Sequence, residues 1–129
     1  MTETIKRNNG WIHRNSRLPA EEDGNEDGLV LVWHAYQDAM VARWYDLPHN
    51  HFIVYWMRLS DLENIPWINA MERLPTQDDA DKLNCVLVMD RHGHVTVTGY
   101  HQFEHNRALT HWRPLPEPPS DAKELRQMS

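Results

Sequence analysis

Nine histidines lie in 129 residues, and five of them (His92, His94, His101, His105 and His111) crowd into positions 92–111. Imidazole is a common metal ligand, and it titrates nearest neutral pH. His92 and His94 have the spacing of alternate strand residues, which would set both rings on one face and allow chelation. Gly93 stands between them and suits a tight hairpin turn, which spoils that geometry. The single cysteine, Cys85, lies in an apolar run and supplies no accessible thiolate partner. The sequence therefore predicts no bound metal and no cofactor, with His92 and His94 as the alternative metal-ligand pair.

Carboxylates form the second reservoir of chemistry, in the stretches AEEDGNEDG (20–28) and TQDDADKLN (76–84). Asp23-Gly-Asn25-Glu-Asp27-Gly28 matches the first half of an EF-hand calcium loop, but the twelfth position is His34 where a bidentate Glu is needed. A solvated acidic loop is the expectation. His49-Asn50-His51 has the residue types of the HNH nucleases, which spread them over a ββα-metal unit; contiguous, they read as a polar loop whose Asn tolerates turn geometry. No Gly-rich phosphate loop, nucleophile elbow or supported Cys-His pair is present. Loop carboxylates without an apolar pocket do not acquire the raised pKa that acid catalysis requires. The expectation is a protein that is not an enzyme.

The charge is −6, which argues against gripping nucleic-acid phosphates directly. No apolar run approaches the ~20 residues of a membrane helix. The opening MTETIKRNNGW does not have the form of a signal peptide, and one cysteine excludes an intrachain disulfide. A cytoplasmic protein, without membrane contact, is the expectation. Six tryptophans are many for this length and must supply core, interface or both.

The elements that would position these groups are written twice. A period of 56 aligns residues 11–61 with 67–117 without a gap. Fourteen of the 51 positions are identical, among them Trp11/Trp67, Ile12/Ile68, Arg17/Arg73, Leu18/Leu74, Pro19/Pro75, Asp23/Asp79, Val30/Val86 and Trp56/Trp112. Chance gives roughly 6% per position, so the chain contains a duplicated unit. Each copy reads as a short β-meander. An apolar run at 29–33 or 85–89 has both faces apolar and suits a central strand. Further strands follow at 39–45 or 95–100 and at 52–59 or 108–112. The stretch 76–83 is alternatively a helical turn capped by Thr76. The predicted organisation is an N-terminal arm at 1–10, repeat one at 11–61, a linker at 62–66, repeat two at 67–119 and a tail or short helix at 120–129, capped by Ser120. The predicted fold is mainly β, with a β-rich α+β arrangement as the variant. The two repeats are expected to pack as one pseudo-twofold compact domain, as a continuous sheet or a small sandwich. PLPEPP at 114–119 favours polyproline II and is expected to lie along its own repeat, with docking to another protein as the alternative.

Repeat two opens WINAMERLP, carries VLVM and closes THWRPLPEPP. In these motifs it resembles the domain of unknown function 551 family of small phage and prophage proteins, whose pattern it covers nearly end to end. Repeat one is similar through Trp11 to Pro19 and through Val30 to Val32, then departs to end in YWMRLSDLENIP. The resemblance implies no catalytic residues. It implies a phage or prophage accessory protein acting inside a bacterium.

The expected function is binding, with inhibition as a further possibility, of a host or competing-phage protein such as a nucleic-acid-acting defence enzyme. A metal- or small-ligand-binding module in the His-rich second repeat is the alternative. The acidic loops nominate Glu21, Glu22, Asp23, Glu26, Asp27, Asp78, Asp79 and Asp81 as partner-binding residues, because an acidic face competes with nucleic acid for a basic groove. Trp33 and Trp44 align with Met89 and Tyr100. With Tyr36 and Tyr45 they give repeat one a surplus of the residue types that anchor interfaces, and extra core packing is the other reading of that surplus. The four Trp at matched positions (Trp11, Trp56, Trp67 and Trp112) are assigned to the core.

Overall fold

The computed structural model describes residues 7–62 and 66–122. It is mainly β and consists of two similar units, residues up to 61 together with 117–122, and residues 62–116. Each unit has its own antiparallel sheet; the strands do not join into one continuous sheet. The first sheet holds β1 (Arg7–Asn8), β2 (Trp11–His13), β3 (Leu29–His34), β4 (Asp38–Arg43) and β5 (Ile53–Met57), in the order β1-β2-β5-β3-β4. The second holds β6 (Ile68–Asn69), β7 (Cys85–Asp90), β8 (Val95–Gly99) and β9 (Leu109–Arg113), in the order β6-β9-β7-β8. The 56-residue offset places β3 on β7 and β5 on β9 residue for residue. Even the register irregularity recurs, between Trp33 and His34 and between Met89 and Asp90.

The apolar runs are central strands, as their two apolar faces require. β3 pairs with β4 on one side and β5 on the other, and β7 likewise with β8 and β9. The order within each sheet corrects the meander expectation. A meander would make β4 central and leave β5 at the edge. β5, however, reads IVYWM and buries four of its five residues. β4 buries only two of its six residues and ends in the exposed Arg43. Burial is greatest when the more apolar strand takes the interior position. β4 and β5 both run antiparallel to β3 and so lie parallel to each other, and parallel strands cannot be closed by a hairpin. The chain must recross the sheet, which it does through the 3-10 segment Trp44–His49.

That crossover supplies a lid for one sheet face. Leu47 is fully buried in a cluster with Ile12, Val30, Val32, Ile53 and Trp56, and Met40, Ala42 and Trp44 pack against it. Burying one such leucine contributes about 1.5–3 kcal/mol. In the second unit Val86, Val88 and Trp112 form the cluster, with Ile68, Ala80, Tyr100, Phe103 and Leu109 around them. Phe103 occupies the position of Leu47. Three of the four matched tryptophans are fully buried, whereas Trp67 is half-buried, with the Arg113 guanidinium 4.2 Å from its ring centre.

The proline-rich tail does not stay along the repeat it closes. Trp11 Nε1 donates to the Glu117 carbonyl and Asn9 Nδ2 to the Pro118 carbonyl, both at 2.8 Å. Tyr55 donates its hydroxyl proton to Asp121, Pro119 is buried, and 117–122 thereby belong with the first unit. Polyproline II leaves its carbonyls free of internal bonds, so they are available to an indole or amide N–H. Most of the short C-terminal helix expected after Ser120, and most of the N-terminal arm, lie outside the described residues.

Candidate interaction surface

Three of the nominated carboxylates, Asp23, Asp79 and Asp81, serve the fold. Asp23, only 4% exposed, accepts from Arg17 through both oxygens (2.9 and 3.3 Å), from Arg58 Nε (2.9 Å) and from the Ala20 N–H (2.8 Å). The Arg17 guanidinium in turn lies 4.9 Å from the Trp56 ring centre, and Trp56 Nε1 donates to the Arg17 carbonyl. The second unit repeats this latch: Arg73 to Asp79 at 2.9 and 3.3 Å, Arg73 over Trp112 at 4.7 Å, and Trp112 Nε1 to the Arg73 carbonyl. The identities at Arg, Asp and Trp in the two copies are this one device. Burial pushes the Asp23 carboxyl up, but the Arg17 and Ala20 hydrogen bonds and the charges of Arg17 and Arg58 outweigh it and hold it below the usual carboxylate range. The Arg73 bond does the same for Asp79, against a smaller burial effect.

Asp81 is also engaged. Its Oδ1 accepts from the N–H groups of Leu83 and Cys85, as Asn25 Oδ1 accepts from those of Asp27 and Leu29. Both are side-chain-capped turns feeding the central strand. The EF-hand-like segment is therefore a turn, with Asp23 committed to arginines. Glu21, Glu22, Glu26, Asp27 and Asp78 remain exposed.

The nominated aromatics divide. Trp33 is a core residue, 4% exposed, with its ring edge-on to Trp11 at 5.8 Å; it presents no surface to a partner. Trp44 is half-buried, packs on the core cluster and meets Tyr45 edge-on at 5.5 Å. Tyr36 is 41% exposed and stands 5.5 Å from Phe52, which is 54% exposed. Phe52 also stacks on His34 at 5.8 Å. Sequence reasoning missed Phe52, although its replacement by Ala108 in the other copy was a usable signal: a large apolar side chain in one copy and none in the other. Tyr36 likewise aligns with His92.

His34 fixes the turn that carries Tyr36. Its Nδ1 accepts from the N–H groups of Tyr36 (3.1 Å) and Gln37 (3.3 Å). Burial pushes its imidazole below the ordinary value, which keeps the acceptor nitrogen unprotonated. In the second unit Asp90 Oδ1 does this work, accepting from His92 and His94 N–H. That arrangement holds the β7–β8 turn, where Gly93 adopts φ +84° as the hairpin reading requires. The His92 and His94 rings lie 6.1 Å apart, and His94 Nδ1 is 3.5 Å from Asp90. Among the described residues no group of three or more His, Cys, Asp or Glu is placed to hold a metal ion. Asn50, in the His-Asn-His stretch, accepts the Phe52 N–H and is a turn residue.

The structure thus separates the nominated residues along the first unit. The acidic turn Glu21–Asp23 lies against the Trp44–His49 segment, at the start of β3. Tyr36 and Phe52 sit at its other end, a strand length of about 17 Å away. No helix among the described residues is long and apolar enough to cross a membrane. No protein-family model, curated protein or solved structure matches this chain.

Proposed function

We propose that this chain is a phage- or prophage-encoded accessory protein that binds a host or competing-phage protein, and inhibits it where that partner acts on nucleic acid. The observation that carries the binding reading is the exposed pair Tyr36 and Phe52, present in one copy of a duplicated scaffold and absent from the other. A rigid exposed aromatic pair is costly to leave in water and is the side-chain chemistry that anchors protein interfaces. The exposed Glu21, Glu22, Glu26 and Asp27 add a negative field that favours a basic partner. The phage setting rests on the resemblance of repeat two to the domain of unknown function 551 family. On this reading the chain has no catalytic residues, needs no cofactor and does not bind nucleic acid itself.

The test is a pull-down from bacterial lysate at low and moderate salt, comparing the native chain with Y36A/F52A and with E21K/E22K/E26K/D27K. One stoichiometric protein should be retained by the native chain and lost by the aromatic variant. Truncating two central aromatics weakens binding by about 2 kcal/mol or more, roughly 30-fold in Kd. The charge-reversed chain should capture less and lose its salt dependence. Retention of the same protein by both variants overturns the reading.

A further inference from the structure

We propose that the edge strand β8 pairs with β8 of a second copy of this chain, joining two second-unit sheets into one eight-stranded antiparallel sheet. Among the described residues, β8 is hydrogen-bonded to β7 and to no other strand. The bonds Asp90 N–H to His94 carbonyl and Tyr100 N–H to Asn84 carbonyl fix the phase of the ladder. Paired residues alternate along an antiparallel ladder, so His94, Thr96, Thr98 and Tyr100 face β7 with their backbone groups. Val95, Val97 and Gly99 therefore direct their N–H and carbonyl groups away from the sheet, three donors and three acceptors in strand geometry.

Natural edges are guarded by charge, proline, a bulge or a cover. β4, the matching edge in the first unit, directs Ala39, Val41 and Arg43 outward by the same phase and so carries a charge on its open side. β8 reads VTVTG, with no charge, no proline and no bulge in its pairing to β7. A self-pairing partner suits this strand because its sequence is self-complementary about Val97. With a twofold axis there, Val97 meets Val97, Val95 meets Gly99 and Thr96 meets Thr98. All three outward-facing residues then fall at hydrogen-bonded positions of the new ladder. Gly99 leaves room opposite Val95, the threonines form cross-strand pairs of a favourable type, and no charge opposes a like charge. The interface is isologous, so it closes at two copies and does not propagate.

The oligomeric state of the full chain is followed by analytical ultracentrifugation over a wide concentration range, beside two kinds of variant. Val97→Pro removes an N–H that β7 does not use, so its far-UV circular dichroism should match the native chain while the dimer is lost. T96K/T98K sets lysine opposite lysine and should also give monomer. T96K/T98E sets lysine opposite glutamate in this register alone and should restore the dimer. A native chain that stays monomeric, a folded V97P variant that still dimerises, or a T96K/T98E variant that remains monomeric overturns the proposal. A native monomer that retains a lysate protein through β8, with retention lost in V97P, assigns the edge to a foreign strand and overturns it as well.

Discussion

Replacing Asp23 by asparagine tests whether the repeated Arg-Asp-Trp latch holds each unit together. Asn keeps the shape and can still accept the Ala20 N–H, but it removes the charge that faces Arg17 and Arg58. The Asp23 side chain is 2% exposed, while Arg17 and Arg58 are 34% and 44% exposed. Breaking a fully buried pair costs about 3–5 kcal/mol, and exposed pairs are worth under about 1 kcal/mol. The partial solvation of both arginines places D23N between these, at about 2–3 kcal/mol. Asp79 has one arginine, not two, and its side chain is 17% exposed against 50% for Arg73, so D79N must cost less. Urea unfolding followed by circular dichroism and tryptophan fluorescence measures both. The acid limb provides a second reading. Because the Asp23 carboxyl is held below its ordinary value in the folded chain, its contribution is present above about pH 4 and is lost as pH falls through the folded value. D23N should flatten that limb. Equal effects of D23N and D79N, or a D23N cost below about 0.5 kcal/mol, would refute the argument that burial of the latch sets its worth.

Three further outcomes follow from the same geometry. His34 has a lowered folded pKa, so the unfolded chain takes up the proton first; stability is full above about pH 6.5 and falls as the pH drops toward the folded value. His34→Asp copies the acceptor that Asp90 provides and should remove that slope in unfolding measured between about pH 7 and 5; an unchanged slope would show that His34 is not its source. Gly28 (φ +77°) and Asn84 (φ +63°) are equivalent left-handed positions entering the central strands. Gly28→Ala should therefore cost about 1 kcal/mol in chemical denaturation, whereas Asn84→Gly should be neutral or stabilising, and the reverse order would contradict the strain argument. Asp81→Asn restores the residue type of Asn25 and should leave thermal stability nearly unchanged, while Asp81→Ala leaves the Leu83 and Cys85 N–H groups without their acceptor and should cost about 1 kcal/mol.

The sequence by itself determined the duplication, the mainly β class and the central place of β3 and β7. Those features are local or periodic: identical residues at a fixed offset, and runs apolar on both faces, mean the same thing wherever the rest of the chain goes. The matched Arg17/Arg73, Asp23/Asp79 and Trp56/Trp112 also stood out as pairs, though not as parts of one latch. Only the tertiary structure decided strand order, because alternation reports which faces are buried and not which strand lies beside which. It placed β5 inside the sheet, where its apolar residues are covered, and made the chain recross the sheet face. It also decided the fate of each nominated side chain. Asp23 and Glu22 look alike in sequence, but an arginine 35 positions away reaches Asp23 and not its neighbour. Trp33 and Tyr36 lie three residues apart at the end of one strand, yet Trp33 turns onto Trp11 while Tyr36 remains in the turn, beside Phe52. Burial and pairing of this kind arise from residues distant in the chain, so no local pattern could encode them.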